Sequence, residues 1–292
     1  MENQEIILHL LQWRIVDIIP HVPIIARQGF TAILVSPIQG TKFTNTNAPW
    51  WCLYQGNNLK IGNAQIGTRD DYIRLCEECH KYGIKVFQDI VIRHVASSDF
   101  DSTKPHHSVD QELLKYIINN GDCYDYKNRQ EYTMKRCGMP MLNYFDKGLQ
   151  KLYIEFLDDL VACGCDGFRL DQAKHYKLPE EGCDFFHIFD KYKDKFIFGE
   201  VIFEDKWLLD KYAKYMHVLT EGRPSDTSRL VAWFESHDSY LEFGWTRNMS
   251  DQMRINEWRV LVQQCKYHSL YYARPYEELW KSKEIRDINI HK

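Results

Sequence analysis

No stretch of this 292-residue chain approaches the ~18 consecutive apolar residues of a membrane span. Positive charge is not in excess either: 37 Lys and Arg face 41 Asp and Glu, a formal net charge of -4. That balance argues against nucleic acid or an anionic membrane as the main partner. The amino end lacks the basic and apolar regions of an export signal. Residues 1–5 are acidic and polar, and the apolar run 6–11 is broken by His9. The nine cysteines are odd in number and scattered, so they do not suggest a disulfide framework. Without an export signal they are expected to be reduced thiols in a cytoplasmic protein. Cys76 and Cys79 form a CxxC inside a helical pattern, and Cys163 and Cys165 a looser pair. Neither the spacing nor a partner histidine fits a zinc finger, and no metal site is expected. Low-complexity tracts are missing, as are repeats beyond an alternation of strand and helix patterns.

What is present is enough apolar sequence for a large core, 44% of residues, and a high aromatic share of 14%. Most of these rings are expected in the core, although sugar-binding clefts also use rings as stacking surfaces. Apolar runs at 6–10, 31–36 and 84–92 read as buried strands. So do runs at 196–202, 217–219, 230–235 and 269–272. A shorter strand is expected around 168–171, where Phe168 and Leu170 alternate with Arg169 and Asp171. Helical spacing is expected at 13–28 (interrupted by Pro20 and Pro23), 69–82, 148–163, 180–193, 204–215, 251–265 and 275–285.

Eight strands, most followed by a helix, predict an α/β fold: an eight-stranded parallel β/α barrel, which takes ~250 residues. The barrel is expected from residues 1–94 and 141–292. The polar segment 95–140, with one weak helix at 111–119, breaks the alternation and reads as a small inserted subdomain after strand 3. The long loop 37–68, carrying Trp50, Trp51, Tyr54 and Gln55, is expected to be functional. The connection 220–229 is too short for a full helix.

Four of these strands end in acids or histidines: Asp89 with His94, Asp171, Glu200, and His237 with Asp238. An Arg169–Asp171 pair alone could serve structure only. In a barrel, however, the four strand ends converge on one rim. Three carboxylates with an arginine suit glycoside chemistry, which needs a carboxylate and a carboxylic acid on either side of one sugar carbon.

These motifs resemble the signature blocks of the α-amylase family of retaining α-glucan glycoside hydrolases. DIVIRH at 89–94, GFRLDQAKH at 167–175, GEV at 199–201 and ESHD at 235–238 occur in the family's order. WWCLYQ at 50–55 is similar to its sugar-stacking loop, and MPMLN at 139–143 to a weaker fifth block. The likeness extends from about residue 7 to 289. It implies a catalytic trio of Asp171 as nucleophile, Glu200 as acid/base and Asp238 as a ligand of the distorted sugar. It further implies that Arg169 keeps Asp171 ionised and that His94 and His237 bond sugar hydroxyls. Tyr54 would stack under the sugar, Trp50, Trp51 and Gln55 would line the cleft, and Lys174 and His175 would meet the leaving-group side. Asp89 would support Arg169.

Three departures matter. The family's first block usually carries a calcium-binding asparagine where this chain has Arg93, and the fifth block an aspartate where it has Met141. A structural calcium is therefore not expected, since a cation cannot replace a hard oxygen ligand. Instead the Arg93 guanidinium is expected to bond the carbonyls and carboxylates that calcium would gather. Ser236 stands where chloride-dependent members have asparagine, so no chloride is expected. Little sequence follows the last predicted helix, and the family's β-sandwich domain is not expected within these residues. The resemblance implies hydrolysis of internal α-1,4 bonds in starch, glycogen or maltodextrins. Transglycosylation or exo action on maltooligosaccharides, and non-catalytic glucan binding, are the alternatives.

Overall fold

In the computed structural model, residues 4–264, 268–275 and 277–291 are described. The apolar runs form the strands β1 (Ile6–Leu10), β2 (Ala32–Val35), β3 (Lys85–Ile90), β4 (Gly167–Leu170), β5 (Phe196–Glu200), β6 (His217–Leu219), β7 (Leu230–Ala232) and β8 (His268–Tyr272). Each pairs in parallel with the next, and β8 pairs back onto β1, closing the barrel. The expected parallel barrel is the observed fold.

Period-two alternation sorts the side chains. Leu8, Ile33, Val86, Phe168 and Ile197 point outward into the layer beneath the helices. Ile7, Leu34, Phe87, Phe198, Leu219, Val231 and Leu270 fill the barrel. Two residues further along the same inward face come His9, Asp89 and Glu200. Arg169 on β4 lies in register with Asp89 on β3 and Phe198 on β5. One alternation thus packs the interior with hydrocarbon and finishes it with charge at the strands' carboxyl ends. Gly167 is required by packing. A Cβ there would lie 2.1 Å from the Phe196 carbonyl oxygen and 2.8 Å from the Phe87 ring.

The main outer helices are α1 (Val22–Arg27), α2 (Arg69–Lys81), α3 (Lys147–Ala162), α4 (Lys206–Tyr212), α5 (Asp251–Gln264) and α6 (Lys283–Ile290). Thr68 and Asp71 form a reciprocal capping box on α2. Asp146 caps α3, whose Leu149, Tyr153, Phe156, Leu157 and Leu160 are buried.

Several elements differ from expectation. The helix at 13–28 is broken into Ile15–Ile18, a 3₁₀ turn Ile19–His21, and α1, because Pro20 and Pro23 supply no N–H. The segment 180–193 forms only 3₁₀ turns, at Pro179–Glu181 and Phe185–Tyr192. The last helix is α6, capped by Ser282, and not 275–285; a 3₁₀ turn Leu279–Lys281 precedes it. Cys265, the expected end of the preceding helix, lies outside the described residues, as does Tyr276. The loop 37–68 contains strands Gln39–Thr41, Gly56–Asn63 and Gly67–Thr68. Their glycines and asparagines hide any apolar alternation. The segment after β3 holds short helices Gln111–Leu114 and Arg129–Met134, and Ile117–Ile118 pairs with Met141–Leu142. The 220–229 connection holds a single 3₁₀ turn, Thr227–Arg229, as its length implied. Among the described residues no helix is long and apolar enough to cross a membrane, and no cluster of three His, Cys, Asp or Glu could hold a metal ion.

The loops after β7 and β8 are tied by a buried ion cluster. Glu235 accepts from Arg274 Nη2 at 2.7 Å and from Arg254 Nε at 3.1 Å. Arg254 also pairs with Glu277. Glu235→Ala would leave two buried guanidinium groups short of charge, which costs about 3–5 kcal/mol. A fall in Tm of roughly 10 °C is expected by calorimetry. An unshifted Tm would show that the cluster does not hold these loops.

Candidate active site

The centre of the rim is one guanidinium. Arg169 Nη1 donates to Asp89 Oδ1 at 2.9 Å, to Asp89 Oδ2 at 3.0 Å and to Asp171 Oδ1 at 2.8 Å. Its Nη2 lies 2.8 Å from Glu200 Oε1. Burial works against the charge on Arg169, but Asp89, Glu200 and Asp171 more than offset it and push its pKa further up. The Tyr54 hydroxyl donates to Asp89 Oδ2 at 2.9 Å, and Asp89 is fully buried. Asp89 therefore braces Arg169 from below and does not open into the cleft.

Asp171, Glu200 and Asp238 all line one cleft of about 230 Å³, with Trp50, Trp51, Tyr54, Gln55, His94 and His237 around them. That is below the ~300–1,000 Å³ of drug-sized sites and suits a single sugar ring. The spacing of Asp171 and Glu200 is set by the two nitrogens of the guanidinium they share. Tyr54 stacks on His237 with ring centroids 5.5 Å apart and 13° between planes. Trp50 meets the same imidazole edge-on at 5.2 Å. Trp51 is exposed at the cleft edge, propped by Phe43. Gln55 Nε2 donates to Met139 Sδ.

The imidazoles are neutral. Burial lowers His94 to about 4, and its Nε2 lies 3.0 Å from the Tyr54 carbonyl oxygen. A carbonyl only accepts, so that nitrogen carries the proton and Nδ1 is left as an acceptor. Burial, with help from His9 and Arg169, drives His237 well below the usual imidazole range. The acids move the other way. Burial pushes Asp171 well above the usual carboxylate range, against the pull of Arg169. Burial and the charge of Glu200 push Asp238 up to about 7.

Two residues from the second block stand outside the cleft. The 3₁₀ turn Ala173–His175 carries them away from its floor. Lys174 Nζ donates to the Ile202 carbonyl at 2.9 Å and pairs with Glu204 at 3.5 Å. His175 is buried, with Nδ1 3.0 Å from the Tyr132 carbonyl oxygen. The structure also adds residues that pattern reading passed over. Gln172 lines the cleft in a left-handed conformation (φ 50°), and its N–H donates to Glu200 Oε2 at 3.1 Å. Met139, the first residue of the MPMLN block, lines it too. His9, at the end of β1, packs edge-on beneath His237. The inward period of β1 was the signal that could have found His9.

Arg93 lies to one side and is buried. Its Nη2 donates to the carbonyls of Tyr132, Thr133 and Lys135 at 2.9, 3.4 and 3.0 Å. The rings of Tyr144 and Tyr176 lie 5.8 and 6.0 Å from its centre. The expected partners included carboxylates, but those described are carbonyls and aromatic faces. Carbonyls already bonded to a guanidinium do not fit a calcium ion.

The chain matches the family profile described as "Alpha amylase, catalytic domain" over residues 15–278. It is 31% identical to an alpha-amylase of Clostridium acetobutylicum, over 97% of this chain and 43% of that protein. It is 27% identical to an alpha-amylase of Butyrivibrio fibrisolvens, over 92% of this chain and 34% of that one. The chain thus spans less than half the length of these relatives. Among solved structures, the cyclomaltodextrin glucanotransferase CldA superposes with a TM-score of 0.79 at 16% identity, covering 99% of this chain and 80% of its own. An alpha-amylase from Geobacillus thermoleovorans complexed with acarbose gives 0.75 at 15% identity, covering 99% and 79%. These two likenesses concern the fold. On the profile match and the first relative, the chain belongs to the α-amylase catalytic-domain family.

Proposed function

We propose that this chain hydrolyses internal α-1,4-glucosidic bonds of starch, glycogen or maltodextrins with retention of configuration. The observation that carries the reading is the pair Asp171 and Glu200, held by one guanidinium and facing one aromatic-walled cleft. An Asp171 oxygen attacks the anomeric carbon as the bond to the leaving oxygen breaks, and Glu200 gives that oxygen its proton. Glu200 then takes a proton from water, whose oxygen displaces Asp171 from the same carbon. Asp238 and the neutral His94 and His237 hold hydroxyls of the ring. The surplus of negative charge in the cleft stabilises the positive, oxocarbenium-like transition state.

The protonation demands are compatible with the site. Three acids pair with one guanidinium and Asp238 shares their cleft; Asp89, Asp171 and Asp238 are all raised, chiefly by burial, so these three do not all ionise together near neutral pH. A carboxylate and a carboxylic acid can then coexist a few ångströms apart. Burial holds Asp171 above the usual carboxylate range, and the bond from Arg169 to its Oδ1 is the contribution that works towards the ionised form that attack requires. We also infer that neither calcium nor chloride is needed. Arg93 supports the first point, and Ser236, engaged with Ser239 through two hydrogen bonds, the second.

Reducing-sugar release from soluble starch is expected to fall by about 10²–10⁴-fold or more in Asp171→Asn and Glu200→Gln. Wild-type rates in either variant would remove the assignment. The wild-type enzyme is expected to keep its rate in EDTA and chloride-free buffer. Loss in EDTA that added calcium reverses would contradict the role given to Arg93. Asp238, raised to about 7 in the fold, binds a proton more tightly folded than unfolded. Its stabilising contribution is full below about pH 4 and is lost as pH rises through about 7. Asp238→Asn should therefore gain in Tm over wild type by about 2–6 °C between pH 5 and pH 8. A constant difference across that range would show that Asp238 is not perturbed.

A further inference from the structure

Two of the three cleft acids are fixed by Arg169, and the third is not. Asp171 and Glu200 each lie 2.8 Å from a nitrogen of that guanidinium. Among the described residues, the Asp238 carboxyl has one basic neighbour within reach, His237 Nε2, and it lies 3.5 Å away. That is too long for a firm hydrogen bond. The place of Asp238 is therefore set by the loop that carries it, residues 235–247, and not by a bond to its own carboxyl.

That loop is wound in an uncommon way and braced from outside. Asp238–Glu242 forms a wide turn in which the Phe243 N–H donates to the Asp238 carbonyl at 2.8 Å. Such i to i+5 closures are rare, occur mostly as single turns and are frequent at functional sites. The brace starts at Arg274, just beyond β8. Its Nε donates to Glu235 Oε2 at 3.1 Å and its Nη2 to Glu235 Oε1 at 2.7 Å, a planar fork on a carboxylate. The same Nη2 donates to the Thr246 carbonyl at 2.7 Å. The guanidinium also lies over the Tyr240 ring, 4.4 Å from its centroid. One side chain thus grips the loop at its first residue, its middle and its end. From there the contacts run inward. The Thr246 N–H donates to the Ser239 carbonyl at 3.2 Å. Ser239 is buried; its Oγ accepts from the Ser236 N–H at 2.9 Å, and its N–H donates to Ser236 Oγ at 3.2 Å. His237 and Asp238 are the two residues inside this reciprocal clamp.

We propose that Arg274 is a positioning residue: through Thr246 and the Ser236–Ser239 clamp it sets where the Asp238 carboxyl meets the sugar. The inference rests on the α-glucan reading above. Arg274 is 8% exposed, turned onto Glu235 and not part of the cleft wall, so it acts only through the loop. A carboxyl that must meet ring hydroxyls at hydrogen-bond length tolerates little displacement, and a misplacement of about 1 Å can cost about 10²-fold in rate. Arg169 spaces the pair that breaks the bond, and Arg274, from outside the cleft, places the third acid. Lysine keeps the charge but lacks the planar fork that engages Glu235 and Thr246 together.

A double-mutant cycle tests this. Rates on maltoheptaose are measured for wild type, Arg274→Lys, Asp238→Asn and the pair, well below the lowest Tm found by calorimetry. Arg274→Lys is expected to lower kcat by about tenfold and to change KM by less than about twofold, because Asp238 is needed most by the distorted ring. In the Asp238→Asn background the same substitution is expected to lower kcat by less than about twofold, since the group it places is already altered. Ser239→Ala, which opens the clamp and leaves the Glu235 cluster untouched, should reproduce both results and serves if Arg274→Lys does not fold. Losses that multiply in the pair, or wild-type kcat in Arg274→Lys and Ser239→Ala, would overturn the positioning role and leave the glucan reading standing. No sugar release by wild type from maltoheptaose or starch would overturn the glucan reading and the positioning role with it.

Discussion

One guanidinium organises the rim of this barrel. Arg169 is taken out of water and bonded to acids from three places in the chain, Asp89 on β3, Asp171 after β4 and Glu200 at the end of β5. Such burial is tolerable only because the attraction at these distances offsets the lost hydration of every partner. The dependence runs both ways. Without Arg169, several acids would sit buried and uncompensated; without Asp89, the guanidinium would lose its brace and the two cleft carboxylates their fixed spacing. Tyr54 extends the same network to the aromatic loop, since its hydroxyl bonds Asp89 while its ring stacks on His237.

Around this charged centre the walls are polar but uncharged. His9, His94 and His237 are all shifted downward, chiefly by burial. His94 has given its N–H to the Tyr54 carbonyl and keeps Nδ1 as an acceptor for a hydroxyl, while His237 Nε2 lies 3.5 Å from Asp238 Oδ1. The acids of the cleft shift upward chiefly through burial, the same cause that keeps the imidazoles uncharged. Tyr54 is buried as part of the cleft wall, whereas Phe203, Phe243 and Trp245 are exposed, on loops bonded to Glu221 and Arg274.

Much of the barrel could be read from residue patterns because its strands are short, apolar and separated by helical spacing. Asp89, Asp171, Glu200 and Asp238 were visible as acids at strand ends. The misreadings share a cause. Residues 180–193 and 275–285 have helical spacing but settle into 3₁₀ turns or start later, because the barrel surface and the Ser282 cap decide where a turn continues. The hairpin strands in 37–68 follow from glycine and asparagine geometry, which leaves no periodic trace. Where the side chains of Lys174 and His175 go was also beyond pattern reading: the turn after β4 brings them to the Ile202 and Tyr132 carbonyls.

The order of residues alone determined the number and direction of the strands, because apolar period and helix spacing are local properties of a chain. It also determined which acids end those strands, and the match to one family's blocks. Only the closed barrel decided that Arg169 meets three carboxylates, that Gln172 turns its N–H onto Glu200, and that Phe203 touches Trp245 across 42 residues. These are contacts between distant segments, set by strand register and closure. No short-range pattern encodes such distances, so the chemistry of the site becomes visible only once the sheet has wrapped around and met itself.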